Sequence, residues 1–110
     1  EQAKWADMID LYLHSRQQLK EVILLVDIRH EPGRNDLLMY EWIKSFGFKG
    51  YIIATKADKL SKSQQIKSLN NIKKTLQIKD IGLIYQFSST SKLGVEEIWI
   101  LFESILNLHD

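Results

Sequence analysis

Two short apolar runs that end abruptly in charge constrain this chain more than any other feature. Val22-Ile23-Leu24-Leu25-Val26 closes on Asp27-Ile28-Arg29-His30, and Tyr51-Ile52-Ile53-Ala54 closes on Thr55-Lys56-Ala57-Asp58. The first has no polar position until its carboxyl end, which is the pattern of a strand buried on both faces and surfacing only where it stops. The expected strands run from Val22 to Ile28, from Tyr51 to Ala54 behind Gly50, and over a shorter stretch from Ile84 to Phe87.

Helical periodicity fills the intervals between them. Trp5, Met8, Ile9, Tyr12 and Leu13 predict an amphipathic helix over residues 2–16. Leu38, Met39, Trp42 and Phe46 form a second stripe, which follows the turn residues Pro32 and Gly33, takes Asn35 or Asp36 as N-cap and stops at Gly47. Ser61-Lys62-Ser63-Gln64 has the form of a capping box, opening a third helix that buries Ile66, Leu69, Ile72 and Leu76 and reaches about Gln77. Val95, Ile98, Phe102, Ile105 and Leu106 bury a fourth, from Val95 to Leu106. A helix, then strand and helix three times, calls for an α/β fold of about three parallel strands and four helices joined by right-handed crossovers. At 110 residues this is one domain. No apolar run is long enough to span a membrane, the first residues lack the pattern of a secretion signal, and there is no cysteine. A reducing cytoplasm is the expected setting.

In an open parallel sheet, ligands bind beyond the carboxyl ends of the strands. Thr55-Lys56-Ala57-Asp58 lies at such an end and has the form of a guanine-reading loop. The Asp58 carboxylate can accept two parallel hydrogen bonds, from the ring N–H and the exocyclic amine of guanine, where adenine offers neither donor. The stem of Lys56 can lie along the purine face while its ammonium ties neighbouring loops together, and the Thr55 hydroxyl can brace the same turn. The motif is short, but the hydroxyl-rich loop Ser88-Ser89-Thr90-Ser91-Lys92 follows the next strand. If the two strands are neighbours, the loops converge on one small ligand, the second offering backbone N–H groups to the guanine carbonyl oxygen. The individual side chains of that second loop read more readily as caps of the last helix.

Other polar residues carry less. His30 lies where an exposed imidazole could act, yet no nucleophile or second metal ligand stands at a recognisable spacing, so a loop-bracing role is favoured. His14 and His109 have no assignable role, and Asp27 and Asp36 do not form a catalytic pair. Trp5, Trp42 and Trp99 fall on or beside apolar stripes and read as core or interface. Six lysines and no acidic residue lie between Lys59 and Lys79. A solvated helix face is the usual meaning of such a run, and a phosphate backbone its competitor, met by Lys62, Lys67, Lys73 and Lys74.

With these residues placed, the chain resembles the carboxyl-terminal half of the EngB/YsxC group of ribosome-biogenesis GTPases, in the wider P-loop class that includes Era and the septins. The resemblance rests on Val22 through His30, on Met39-Tyr40-Glu41-Trp42, on Ala54-Thr55-Lys56-Ala57-Asp58-Lys59-Leu60-Ser61-Lys62, and on Phe87-Ser88-Ser89 with Gly94 further on. It implies that Thr55, Lys56, Ala57 and Asp58 form the base-recognition motif, and that Phe87, Ser88 and Ser89 close over the base, mainly through backbone. It implies GTP and GDP as ligands, Mg²⁺ as their companion, a three-layer fold, and roles in ribosome assembly and, in bacteria, septation. Nothing in the chain reads G-x-x-x-x-G-K-[ST], no candidate switch Thr is present, and no D-x-x-G turn precedes the first helix. The family's phosphate, Mg²⁺ and water-positioning parts are therefore expected outside it, with no catalytic or metal-binding residue within it and no hydrolysis by the chain alone. Two further expectations follow: the strand from Val22 to Ile28 presents an edge open to self-association, and the competing function is a non-catalytic module binding RNA or protein through the Lys-rich helix.

Overall fold

The computed structural model describes residues 21–106. Strand β1 (Ile23–Asp27) leads to helix α1 (Arg34–Ser45), β2 (Tyr51–Thr55) through a 3₁₀ turn (Ala57–Lys59) to α2 (Lys62–Thr75), and a second 3₁₀ turn (Ile81–Leu83) to β3 (Ile84–Gln86) and α3 (Val95–Leu106). The sheet is parallel in the order β1-β2-β3. Ile23 stands beside Tyr51 and Asp27 beside Thr55, while Ala54 stands beside Gln86. The strands carrying the two candidate loops are thus neighbours. The helix expected over residues 2–16, with Trp5 and His14, lies outside the described residues, as does His109.

Two consecutive right-handed crossovers that advance in the same direction place their helices on one face of the sheet. On that face Val26, Ile28, Ile52 and Ala54 form one cluster with Tyr40 of α1, Ile72 of α2 and Leu76, which caps α2. Ile53, whose position alternates to the opposite face, is also buried, as are Ile98 and Leu101 of α3. The result is the expected three-layer α/β arrangement, with three of the expected four helices in the described residues.

Several boundaries and faces differ from expectation. The cap of α1 is Gly33, whose N–H donates to the Asp36 carboxylate at 2.9 Å; Asp36 therefore sits inside the first turn and closes it from there. The buried residues of α1 are Tyr40 and Ile43. Leu38, Met39, Trp42 and Phe46 lie half-buried beside them, with the Trp42 and Phe46 rings edge-on at 6.4 Å. In α2 the capping box is present: the Gln64 N–H donates to Ser61 Oγ at 3.3 Å and the Ser61 N–H to Gln64 Oε1 at 2.9 Å. Ile72 and Leu76 of its stripe are buried and Leu69 packs against them, whereas Ile66 is 62% exposed. The cause is the short β3, beyond which Ile66 and Leu69 line an open groove with Ile84 and Leu93. In α3 the seam is Ile98 and Leu101, with Phe102 and Ile105 half-buried and Val95 and Leu106 exposed.

The double burial expected of β1 is overturned too. Leu24 and Val26 face the cluster, but Leu25 is 61% exposed. Among the described residues β1 has a single strand neighbour, and its outer face is left largely uncovered.

Candidate functional site

The carboxyl ends of the three strands are tied together by backbone. The Ile28 N–H donates to the Thr55 carbonyl at 3.0 Å, the Phe87 N–H to the Ala54 carbonyl at 2.9 Å, and the Ala57 N–H to the Phe87 carbonyl at 3.0 Å. Ala57 is fully buried beneath this junction, which is why the spacer between Lys56 and Asp58 is small. Lys56 takes a left-handed backbone conformation, φ 62° and ψ 34°, and so turns the chain out of the strand into the 3₁₀ turn that carries Asp58. For a side-chain-bearing residue that conformation costs on the order of 1 kcal/mol. It persists because the flanking bonds fix it. From α2, the Gln65 amide donates to the carbonyls of Ala57 at 2.7 Å and Leu60 at 3.1 Å, bracing the turn from below. No sequence pattern marked Gln65, since its role follows from where the helix lies.

Asp58 and Ser88 form the centre of the site. The Ser88 hydroxyl donates to Asp58 Oδ1 at 2.7 Å and accepts the Ser91 N–H at 3.1 Å. Ser88 is completely buried, so its side chain is an internal strut and not a cap of the last helix. The hydrogen bond from Ser88 lowers the pKa of Asp58 from its ordinary value, partial burial opposes that, and Lys59 and Arg29 support it by charge. Lys59 Nζ lies 3.9 Å from Asp58 Oδ2. An ionised acceptor is thus held at the mouth of the two loops with one oxygen braced, geometry suited to a ligand edge presenting two N–H donors.

The second loop spends part of its amides internally. Phe87 donates to Ala54, Ser88 to the Leu93 carbonyl at 3.1 Å, and Ser91 to Ser88. Those of Ser89, Thr90 and Lys92 have no partner among the described residues, and these are the N–H groups the loop can offer a ligand. Gly94 closes the loop against β3. At φ 81° it passes so near that a Cβ would stand 1.8 Å from the Gln86 carbonyl oxygen, which only glycine allows.

The remaining motif residues reach toward β1. The Thr55 hydroxyl donates to the Val26 carbonyl at 3.1 Å, tying β2 to its neighbour rather than bracing its own turn. Lys56 Nζ lies 3.5 Å from Asp27 Oδ2, linking the two loops as its expected role requires. Asp27 also accepts from the Arg29 N–H at 2.9 Å, from Nε at 3.1 Å and from Nη2 at 2.8 Å. These bonds, the Arg29 side chain's first, hold its carboxyl far below the usual carboxylate range. His30 is exposed. Among the described residues no three His, Asp or Glu side chains come together in a way that could hold a metal ion, and no helix is long and apolar enough to cross a membrane.

No family model matches the chain. Curated relatives do. It is 48% identical over all of its 110 residues to a protein of Clostridioides difficile named "Probable GTP-binding protein EngB". A protein of the same name from Finegoldia magna is 50% identical over 96% of the chain, and one from Lachnospira eligens 43% identical over 93%. The chain spans about half the length of these relatives: 53%, 53% and 48% respectively. It is an EngB-type sequence, homologous along nearly its whole length to about half of the GTP-binding proteins that carry that name.

Proposed function

We propose that this chain is the base-recognition half of an EngB-type GTP-binding protein, that it corresponds to the carboxyl-terminal part of a single G domain, and that Thr55, Lys56, Ala57 and Asp58 with Phe87, Ser88 and Ser89 receive the guanine. The observation that carries this reading is the Asp58 carboxylate, kept ionised by a buried Ser88 hydroxyl and positioned where two loops of neighbouring strands meet. Guanine presents two parallel N–H groups to such an acceptor, adenine none. The phosphates, Mg²⁺ and the hydrolytic water are assigned to the half of the longer relatives that this chain does not span, because no stretch of the 110 residues reads G-x-x-x-x-G-K-[ST]. Hydrolysis then belongs to the whole domain, in the cytoplasm, serving ribosome assembly and, in bacteria, septation.

A second reading is supported by α2. Lys62, Lys67 and Lys74 are exposed, Lys73 is half-buried, and none forms an ion pair among the described residues. Such uncompensated charge suits an RNA backbone, ribosomal RNA being the partner consistent with the first reading.

Titration of the ¹⁵N-labelled full-length protein with GDP and with ADP tests the base site. GDP should shift the amides of residues 55–58 and 87–89, and ADP should leave them in place. Equal responses to both nucleotides, or shifts confined to α2, would reject the reading.

A further inference from the structure

The mouth of the site holds two carboxylates on adjacent strands. Asp27 stands beside Thr55 in the sheet register, and Asp58 lies three residues beyond Thr55. Arg29 follows Asp27 by two residues and carries a guanidinium that pairs with carboxylates. The charge of Arg29 bears on both carboxylates, lowering the pKa of each. Yet every polar contact its side chain makes among the described residues goes to Asp27: Nε to Oδ1 at 3.1 Å and Nη2 to Oδ2 at 2.8 Å, the two-pronged arrangement of guanidinium on carboxylate. The Arg29 side chain is 38% exposed, and the polar contacts that fix its fork are those to the Asp27 carboxylate.

This placement matters because of what a guanidinium resembles. Its two parallel N–H donors have the same spacing and direction as the ring N–H and exocyclic amine of guanine, and both match a carboxylate in the same way. A guanidinium released beside Asp58 is an internal competitor for the acceptor that guanine requires. Asp58 offers little resistance of its own, since Ser88 occupies only Oδ1 and Lys59 stands 3.9 Å from Oδ2. Asp27 has both oxygens committed to Arg29 and takes Lys56 on Oδ2 at 3.5 Å as well.

We propose that Asp27 is a positioning residue of the base site, a decoy carboxylate that occupies the Arg29 fork and so leaves Asp58 open to guanine. The inference rests on Asp58 being the base reader. It predicts that the harm done by losing Asp27 passes through Arg29, which a general structural role for Asp27 does not.

The test is calorimetric titration of the full-length protein with GDP. Asp27→Asn should weaken GDP binding about tenfold, the factor expected when one charge-assisted contact competes with the ligand. Adding Arg29→Gln to Asp27→Asn should recover most of that loss, to within about threefold of the unaltered protein. Unchanged affinity in Asp27→Asn, or a double variant as weak as the single one, would overturn the proposal. Asp58→Asn, titrated in parallel with GDP and xanthosine diphosphate, separates the two claims. An unchanged ratio there rejects the base reader itself, whereas a changed ratio without recovery through Arg29 rejects only the role of Asp27.

Discussion

The two ends of this sheet's surface differ in how completely they are finished. At the carboxyl ends of β2 and β3, Ala57 and Ser88 are fully buried, and three loops share a closed set of hydrogen bonds. On the outer flank of β1 and along α3, Leu25, Trp99 and Ile100 are 61%, 62% and 54% exposed, and β1 has no second strand neighbour among the described residues. The first region is self-sufficient, because the residues that fix it, from Val26 to Gly94, all belong to this chain. The second leaves large apolar side chains open to solvent. A chain spanning about half the length of its relatives can therefore carry a closed pair of loops, the proposed base site, beside a strand with one neighbour among the described residues.

The largest expected effect breaks the finished region. Gly94→Val places a Cβ against the Gln86 carbonyl oxygen and strains a residue at φ 81°, so it should cost on the order of 4 kcal/mol in urea denaturation and abolish guanine nucleotide binding. A variant of near-normal stability would mean that the loop is not clamped against β3.

Ser88→Ala is smaller and sharper. It leaves the Ser91 N–H without its acceptor and removes a buried donor, for a cost of about 1–2 kcal/mol. It also changes the response to acid. The folded pKa of Asp58 lies below the ordinary value for an aspartate, so its contribution to stability is present above that ordinary value and is lost as pH falls through the lower folded pKa. Without the Ser88 hydroxyl, that loss should begin at higher pH, as followed by acid unfolding monitored by circular dichroism. An acid transition at the same pH in both proteins would show that Ser88 does not set the charge state of Asp58.

The smallest effect on stability lies on the unfinished flank. Leu25→Lys replaces an exposed leucine beside an open strand edge, so stability should change by no more than about 0.5 kcal/mol while self-association of the 110-residue chain declines in sedimentation. Unaltered association would place the contact elsewhere than β1.

The contrast also explains what was legible in the sequence. The strands themselves, the Ser61 capping box and the placing of Thr55–Asp58 and Ser88 at strand ends follow from local chemistry: apolar runs that stop at polar loops, and a hydroxyl three residues before Gln64; that β2 and β3 are neighbours, so that the loops converge, is set by the fold. Helix faces were read less well. Ile66 and Val95 fit an apolar stripe, but whether such a stripe is covered depends on how far β3 extends and on what lies beyond it, which periodicity does not contain. The Ser88 strut, the Gln65 brace and the Asp27 pairing with Arg29 and Lys56 were not marked as such, because each joins side chains to groups whose proximity only the fold creates. The Arg29 pairing had one visible signal, a carboxylate two residues before an arginine at a strand end.

The central claim is that Asp58 selects the base, and nucleotide preference in the Asp58→Asn variant of the full-length protein tests it most directly. Replacing an acceptor-only carboxylate with an amide that also donates should move preference from GTP toward xanthosine triphosphate, which has a carbonyl where guanine has its amine, by as much as ~10⁴ in the ratio of affinities. A ratio of GTP to xanthosine triphosphate affinity equal to that of the unaltered protein would contradict the account.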